Sequence, residues 1–299
     1  MSIVFRHARA DELQRAQELV VASINDMTER HGFGPMASVR PPDFQLFSMK
    51  DDPDGLWIAE DDGRLVGYAF SWICGDLWFL AELFVAPDRQ GAGIGKGLLR
   101  RTFDHAARAG VTRKALITFT FNTVSQGLYI RHGLLPRMPI YFFNGTRQAA
   151  AGLAGETLST VDIAPGEQHL QLLRRLDDSV MGLSRDNHHR FLFADPTIKG
   201  VLLYRQDELV AYAYVSTTGH VGPLAVAPDG DLAAAFRTAV TLAAQTGSPQ
   251  ISCFLPGIAA RALGVAAECH MKITFPMVLV SDRDFGDWTR YLPRNPGFM

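Results

Sequence analysis

The chain has 299 residues, of which 47% are hydrophobic and 20% are charged, and its formal net charge is −2 at pH 7. A domain usually spans roughly 100–200 residues, so this length predicts two domains, each with a core of its own. The near-neutral charge argues against nucleic acid as a partner, and the sequence lacks the run of about eighteen apolar residues that a membrane span needs.

The first half of the chain alternates strand and helix patterns. Asp62-Gly63 lies between two apolar runs, which is typical of a tight β-hairpin. In chain order the patterns predict a strand at Ile3–Phe5, a helix from about Ala10 to Met27, a short helix around Phe44–Met49, the hairpin around 61–64, a strand in LWFLAELFVA, a helix from about Gly93 to Ala109, a strand at Ala115–Phe121, a short helix at about Thr123–His132 and a strand around Met138–Phe143.

The second half repeats this order. LWIAEDDGRLVGYAF matches VLLYRQDELVAYAY, and LFVAPDRQ matches LAVAPDGD with Val85 opposite Val226, an offset of 141 residues. LITFTFN matches QISCFLP with Ile117 opposite Ile251, an offset of 134. The stretch NGTRQAAAGLAGET lacks amphipathic order, so we expect a first domain over 1–145, a linker over 146–157 and a second copy over 158–299.

RQGAGIGKG (residues 89–97, the glycine loop) lies between a strand ending near Val85 and an amphipathic helix. A P-loop needs G-x-x-x-x-G-K-[ST], but Lys96 is followed by Gly97 and no glycine stands at the required upstream position. The dinucleotide fingerprint G-x-G-x-x-G also fails on spacing. The pattern that fits is Q-x-x-G-x-G, filled by Gln90, Gly93 and Gly95, at a helix start suited to a phosphate.

With this loop the sequence resembles the GNAT superfamily of acetyl-CoA-dependent N-acyltransferases. The segment ITFTFNTVSQGLYIRHGLLP is similar to the second GNAT signature, with Asn122, Tyr129 and Gly133-Leu134, where the family usually has Gly-Phe. The resemblance implies two tandem α/β (α+β) domains, each a mixed, mostly antiparallel twisted sheet flanked by helices. It also implies acetyl-CoA as co-substrate, with the pyrophosphate on the glycine loop and the pantetheine along the strand that ends near Val85. The cofactor-binding residues implied are Phe84, Val85, Arg89, Gln90, Gly91, Ala92, Gly93, Ile94, Gly95, Lys96, Asn122 and Ser125.

Acyl transfer to an amine needs a proton donor for the thiolate, and a base for the amine. We interpret Tyr129 as the donor and Glu82 as the base, although a salt-bridged or solvated Glu82, with another base in its place, stays open. The acceptor side is expected around 25–49 and 71–79, where an aromatic pocket and a carboxylate would meet an amine. Its candidate substrate residues are Phe33, Trp72, Asp76 and Trp78.

The three cysteines, Cys74, Cys253 and Cys269, form no C-x-x-C pattern, which argues for a reducing cytoplasm and against a structural zinc. His188-His189 is interpreted as a polar helix end, and without a paired Cys or a Glu-x-x-His pattern no metal site is expected.

The second copy lacks the site. At the aligned positions Gln90 becomes Asp231, Gly93 becomes Ala234, Gly95 becomes Phe236, Asn122 becomes Pro256 and Tyr129 becomes Leu263. A carboxylate would repel a pyrophosphate and Cβ atoms would block its approach, so we expect a non-catalytic copy that serves the fold, the acceptor cleft or a homodimer. The function expected of the chain is transfer of acetyl to a primary amine of a small molecule. A non-catalytic acyl-CoA sensor and a protein amine as acceptor are the alternatives.

Overall fold

The structure is a computed structural model that describes residues 3–299. Its contacts divide the chain into two compact units. Unit 1 takes the residues up to Leu116 together with 121–135 and 281–283, and unit 2 takes 117–120, 136–280 and 284–299. No helix of residues 3–299 is long and apolar enough to cross a membrane.

Unit 1 is built on a mixed sheet. Its elements are β1 (Val4–His7), α1 (Leu13–Arg30), α2 (Asp43–Asp51), β2 (Leu56–Asp61), β3 (Arg64–Cys74), β4 (Leu77–Val85), α3 (Ile94–Arg108), β5 (Arg113–Phe119) and α4 (Thr123–Ile130). The strands follow the order β1-β2-β3-β4-β5, antiparallel except for the parallel pair β4–β5. The predicted hairpin is confirmed: Asp62 and Gly63 both have positive φ, as the turn that matches strand twist requires.

The end of β4 separates from its neighbour. The pairing of β4 with β5 runs only from Leu77 to Leu80, and the register between β3 and β4 shifts at the next residues. On one face of the sheet α3 buries Ile94 and Leu98 against β2 and β3. The last residues of β4 therefore have β3 on one side and an edge without β5 on the other.

Unit 2 repeats this architecture. Its elements are β6 (Leu135–Thr146), α5 (Arg147–Ala151), β7 (Ser159–Asp162), α6 (Glu167–Met181), α7 (Asp186–Ala194), β8 (Ile198–Arg205), β9 (Glu208–Ser216), β10 (His220–Val226), α8 (Leu232–Gln245), β11 (Gln250–Pro256), α9 (Ala260–Glu268), β12 (Lys272–Ser281) and β13 (Tyr291–Leu292). The order is β12-β6-β11-β10-β9-β8-β7, with β13 on β10. The mixed, mostly antiparallel sheets flanked by helices confirm the expected fold class.

The contacts divide the chain differently from the domains expected from sequence. Residues 136–145 were expected in the first domain but cluster with unit 2, because β6 pairs with β11 from Ile140 to Thr146. The stretch expected as a linker contains α5, whose Ala150 is buried in the core of unit 2.

Candidate active site

A cavity of about 750 Å³ lies in unit 1, between the second half of α1, the end of β4, the glycine loop and α4. Of the residues that the GNAT resemblance implies for the cofactor, all except Ala92 line it: Phe84, Val85, Arg89, Gln90, Gly91, Gly93, Ile94, Gly95, Lys96, Asn122 and Ser125. Ala92 lies on a neighbouring surface groove, beside Phe5 and Arg101. The two sequence segments that carry the resemblance therefore meet at one cavity.

The glycine loop has a backbone that other residues rarely adopt. Gly91 has φ +83° and Gly93 has φ +77°, and a Cβ added at either would meet no atom within 4 Å. The glycines are needed here for their conformation, since the space itself is open. Gly93 is also the N-cap of α3, and the first helical bond runs from Gly97 N to Gly93 O.

The start of α3 provides hydrogen-bond donors to the cavity. The first backbone N–H groups of a helix have no partner within it and carry the positive end of its dipole. Ile94, Gly95 and Lys96 are the first residues of α3, and all three line the cavity. The loop and helix start thus fit a pyrophosphate, which needs amides close to its oxygens.

The edge of β4 forms a second wall. Leu83, Phe84 and Val85 line the cavity on the side that β5 leaves uncovered. The carbonyl of Val85 accepts hydrogen bonds from Ser23 Oγ at 3.1 Å and from Gln90 Nε2 at 3.3 Å. These two bonds tie α1 and the glycine loop to the end of β4.

Basic side chains surround the cavity. They are Arg30, His31, Arg89, Lys96, Arg131 and His132, and the residues that line the cavity include no Asp or Glu. Arg89 Nη2 lies 3.0 Å from Oδ2 of the buried Asp61. The charge of Arg89 is therefore partly balanced by Asp61, while the cavity as a whole is suited to an anion.

Part of this wall was missed in the sequence. Ser23, Met27, Arg30 and His31 come from α1 and line the cavity. Their spacing of three and four places them on one helix face, yet a polar residue on a mostly apolar face gives no signal of a ligand. Arg131 and His132 directly follow α4, the helix from which only Ser125 and Tyr129 were predicted to contribute to the site.

Asn122 shapes the start of α4. Its Oδ1 accepts a hydrogen bond from Ser125 N at 3.2 Å, so the residue expected beside the cofactor is the N-cap of the helix. Tyr129 is only 4% exposed and does not itself line the cavity. Burial raises the pKa of Tyr129, against a hydrogen bond with Ser125 that lowers it, and the phenol stays protonated at neutral pH. Ser125 connects this phenol to the cavity wall.

Glu82 is held by two amides. Gln45 Nε2 donates to both carboxylate oxygens at 3.1 Å, and Gln17 Nε2 donates at 3.2 and 3.3 Å. Desolvation raises the pKa of Glu82, and the hydrogen bonds from Gln45 and Gln17 partly oppose this rise. Glu82 does not line the cavity, but the next residue, Leu83, does. Across the sheet Glu82 pairs with Phe70, so an aromatic ring lies beside the carboxylate.

The candidate substrate residues are not brought together. Trp72 is buried and stacks on Phe79 with ring centroids 4.7 Å apart, and Trp78 is fully buried against Phe103. Asp76 lies in the turn between β3 and β4, with Arg113 Nε 2.5 Å from its Oδ1. Phe33 is 41% exposed and stacks on Phe121, which lines the cavity. Of the four, Phe33 alone lies one ring away from the cavity.

The pair His188-His189 is buried, which corrects the expected polar helix end. His189 Nε2 lies 2.9 Å from Asp177 Oδ2. Arg185 also donates a hydrogen bond to Asp177, and the side chains of Arg185 and Asp177 are both fully buried. This cluster belongs to unit 2. Among residues 3–299 no group of His, Cys, Asp and Glu is placed to hold a metal ion.

Comparison with known proteins places this cavity in a family. Residues 18–134 match the model of the acetyltransferase (GNAT) family. Over 91 residues the chain is 30% identical to a Bacillus subtilis protein assigned as the ribosomal protein bS18 alanine N-acetyltransferase, covering 29% of this chain and 60% of that protein. Over 85 residues it is 32% identical to the mycothiol acetyltransferase of Streptomyces griseus, covering 27% of each. The chain thus spans less than two thirds of either relative.

Solved structures share the fold over nearly the whole chain. A Pyrococcus horikoshii protein assigned as an acetyltransferase has a TM-score of 0.75 at 16% identity, covering 96% of this chain and 95% of that one. A tandem GNAT protein from the clavulanic acid biosynthesis pathway has a TM-score of 0.62 at 14% identity, covering 94% and 98%. At these identities the likeness establishes the fold alone. The family match identifies residues 18–134 as a GNAT domain that contains the glycine loop and the segment from Asn122 to Tyr129, and the chain shares its fold with a tandem GNAT protein.

Proposed function

We propose that unit 1 is an N-acetyltransferase that moves the acetyl group of acetyl-CoA to a primary amine of a small molecule. The observation that carries the proposal is the meeting of three features at one cavity. These are the glycine loop at the start of α3, the uncovered edge of Leu83–Val85, and Ser125 with its link to Tyr129. Each feature matches one part of the chemistry, which needs a held phosphate, an aligned thioester and a proton for the leaving group.

Acetyl-CoA supplies the thioester, whose carbonyl carbon is the electrophile. The amides at 94–96 and the side chain of Lys96 would hold its pyrophosphate. The edge of Leu83–Val85 would pair with extended amide groups. A backbone N–H on this edge would stabilise the negative charge that develops on the carbonyl oxygen during attack.

Glu82 is proposed as the base. An ammonium cannot attack a carbonyl, so a proton must leave the amine before or as the N–C bond forms. The desolvated carboxylate is held by neutral amides, which leaves it a stronger base than one paired with a cation. A water would carry the proton where the amine does not touch Glu82 directly.

Tyr129 is proposed as the acid. As the C–S bond breaks, the sulfur takes up a proton, and the electron pair of the bond stays on the sulfur. The raised pKa of Tyr129 keeps its phenol protonated and ready to donate through, or beside, Ser125. An ammonium loses two protons in becoming an amide: Glu82 takes the first and passes it to solvent, and the second, lost from nitrogen after attack, balances the proton that the sulfur takes up.

A small acceptor is favoured by the cover over Glu82. Gln45 comes from α2, and its neighbour Phe44 packs edge-on against Phe70 with centroids 5.6 Å apart. The acceptor side of the carboxylate is therefore shielded by a helix, which leaves less room for a protein chain than for a small amine. By name, one of the two relatives acetylates an alanine of ribosomal protein bS18 and the other is a mycothiol acetyltransferase, so the acceptor panel includes both small amines and peptides.

The experiment is a thiol-release assay with acetyl-CoA across a panel of small amines and peptides with free N-termini. Steady release of free thiol with a small amine supports the proposal, and mass spectrometry should show the amine heavier by one acetyl group. Thiol release with peptides and with none of the small amines would contradict a small-molecule acceptor and indicate a protein amine. Calorimetric binding of acetyl-CoA without release in any mixture would favour the sensor.

A further inference from the structure

Unit 2 contains the counterpart of the β4 edge. In β10, the parallel pairing with β11 ends at Val221, and the register with β9 shifts between Val221 and Leu224. The offset of 141 residues places Val221 opposite Leu80, where the pairing of β4 ends. The same offset places 224–226 opposite the cavity edge at Leu83–Val85. Both copies therefore open at the same point of the same strand.

In unit 2 this edge is covered by the chain itself. β13 pairs antiparallel with β10, with Leu292 opposite Leu224 and Tyr291 opposite Ala225. Val226 N donates to Arg290 O at 3.0 Å, which continues the ladder. Tyr291 and Leu292 are both fully buried. The backbone of 290–292 thus takes the hydrogen bonds that the corresponding edge of unit 1 leaves for a ligand.

We infer that the segment Asp284–Met299 is the built-in occupant of the acyl-CoA groove of unit 2, a peptide strand bound where the first copy binds pantetheine. This inference rests on the proposed function for the meaning of the groove in unit 1. On this inference the second copy has lost the loop glycines and its groove is also filled. The inference assigns a role to a segment that lies outside the repeated pattern.

The charges at the groove are reversed between the copies. Arg290 Nη1 donates to Ala227 O at 2.9 Å and to Gly230 O at 3.1 Å, in the turn just before α8. The corresponding turn of unit 1 is the glycine loop, where helix amides face an expected anion. In unit 2, the carboxylate of Asp231 accepts a hydrogen bond from one amide in the first turn of α8, Ala233 N, at 2.8 Å. The guanidinium of Arg290, bound to two backbone carbonyls, therefore lies at the turn that corresponds to the proposed phosphate-binding loop of unit 1.

The helix side of the groove is also filled. Asp287 N donates to Val180 O at 2.7 Å at the end of α6, the counterpart of α1. A Cβ on Gly286, which has φ +64°, would approach the Met181 side chain to 2.8 Å. The cavity of unit 1 lies between β4 and α1, and the segment occupies the corresponding interval in unit 2.

Two further contacts anchor the segment beyond β13. Arg294 Nη1 donates to Gly222 O at 3.1 Å, and His220 Nε2 lies 2.6 Å from Arg294 O. The fully buried Arg185 donates to Met299 O at 3.0 Å and is hydrogen-bonded to the hydroxyl of Tyr291. The ion pair of Arg185 with Asp177 therefore serves as an anchor for the segment.

Hydrogen–deuterium exchange of the full chain tests this inference, with and without acetyl-CoA. Amides of 224–226 and 290–292 should exchange slowly without ligand and should not change when acetyl-CoA is added. Amides of Leu83–Val85 should become slower only with acetyl-CoA, which makes unit 1 the internal control. Fast exchange at 290–292, or added protection of 224–226 by acetyl-CoA, would overturn the inference. If acetyl-CoA does not slow exchange at Leu83–Val85 while exchange at 290–292 is slow, the result would count against the proposed function and not against this inference.

A variant sharpens the test. Arg290→Gln removes two hydrogen bonds to the turn, so exchange at 290–292 should become about tenfold faster, which corresponds to about 1.4 kcal/mol. Arg283→Gln, at an arginine with a side chain 59% exposed, is the matched control and should leave those rates unchanged. Titration of the full chain should give one acetyl-CoA site. Unchanged exchange in Arg290→Gln, or two acetyl-CoA sites in the full chain, would contradict the occupied groove.

Discussion

The side-chain amide of Gln45 lies 3.1 Å from both carboxylate oxygens of Glu82, and Gln17 approaches the same carboxylate from α1. No Lys or Arg among residues 3–299 forms an ion pair with Glu82. Neutral donors orient a carboxylate without quenching its charge, and they only partly offset the desolvation that raises its pKa. Gln45 and Gln17 therefore hold the carboxylate of Glu82 in place, as the proposed base requires.

Gln45→Leu should shift the pH dependence of kcat/KM. Loss of a donor to the charged form raises the pKa of Glu82 further above its usual value, and the base acts only when deprotonated. The rate that is lost as pH falls should therefore be lost at a higher pH, with about a tenfold deficit on the acidic side that recovers in alkali. Gln17→Leu should shift the pH profile in the same direction, because Gln17 also donates to Glu82. Gln14→Leu is the control and should leave the profile unchanged, because Gln14 is exposed on the same helix. Equal pH profiles for all three variants would remove Glu82 from the mechanism.

Tyr129→Phe should lower kcat by about a hundredfold, because general-acid help contributes about 10²–10⁴-fold. The phenol does not line the cavity, so Kd for acetyl-CoA should stay within about twofold of the parent value. Stopped-time thiol release and calorimetric titration measure the two quantities. Tyr204→Phe, at a half-buried tyrosine of unit 2, is the control for loss of a hydroxyl. An unchanged kcat in Tyr129→Phe would assign the proton to another donor.

Gly93→Ala should weaken acetyl-CoA binding by about tenfold. A left-handed backbone costs other residues about 1–2 kcal/mol, so the loop would relax away from the conformation that presents its amides. Gly247→Ala is matched, since Gly247 has φ +87° and equally open surroundings but lies in unit 2. Both variants should lose similar stability in denaturant melts. If Gly247→Ala weakens binding as much as Gly93→Ala does, the loop has no special part in binding.

Asp177→Asn should lower the free energy of unfolding by about 3–5 kcal/mol, because it leaves the buried Arg185 without its countercharge. Asp186→Asn, in a half-buried pair with Arg174, should cost much less. Desolvation alone would raise the pKa of Asp177, but Arg185 and His189 outweigh it and hold that pKa well below its usual value. The stability from this carboxylate is then complete above about pH 4 and is lost only as pH falls through the lowered pKa. A small loss in Asp177→Asn would mean that Arg185 finds other partners.

Local patterns in the sequence were sufficient for several features. The hairpin turn at Asp62-Gly63, the glycine loop and the helix after it follow from residues that are close in the chain. Turn geometry and helix starts depend on the φ of a few residues, so their spacing is informative by itself. The GNAT family of residues 18–134 and the fold class were predictable for this reason, and both are confirmed.

Contacts between distant parts of the chain were decided only by tertiary structure. Gln17 and Gln45 meet Glu82 from helices 65 and 37 residues away, and each glutamine alone resembles any half-buried polar residue. Asp76 was predicted to attract a cationic substrate, but in the folded chain its carboxylate is paired with Arg113.

The second copy shows the same division. Its sequence revealed the replaced glycines, since these lie at aligned positions of a local motif. The filling of its groove depends on Tyr291 and Leu292 lying beside β10, which is about 65 residues earlier in the chain. Which edge a two-residue strand joins depends on the hydrogen bonds left open elsewhere, and that information exists only once the chain has folded.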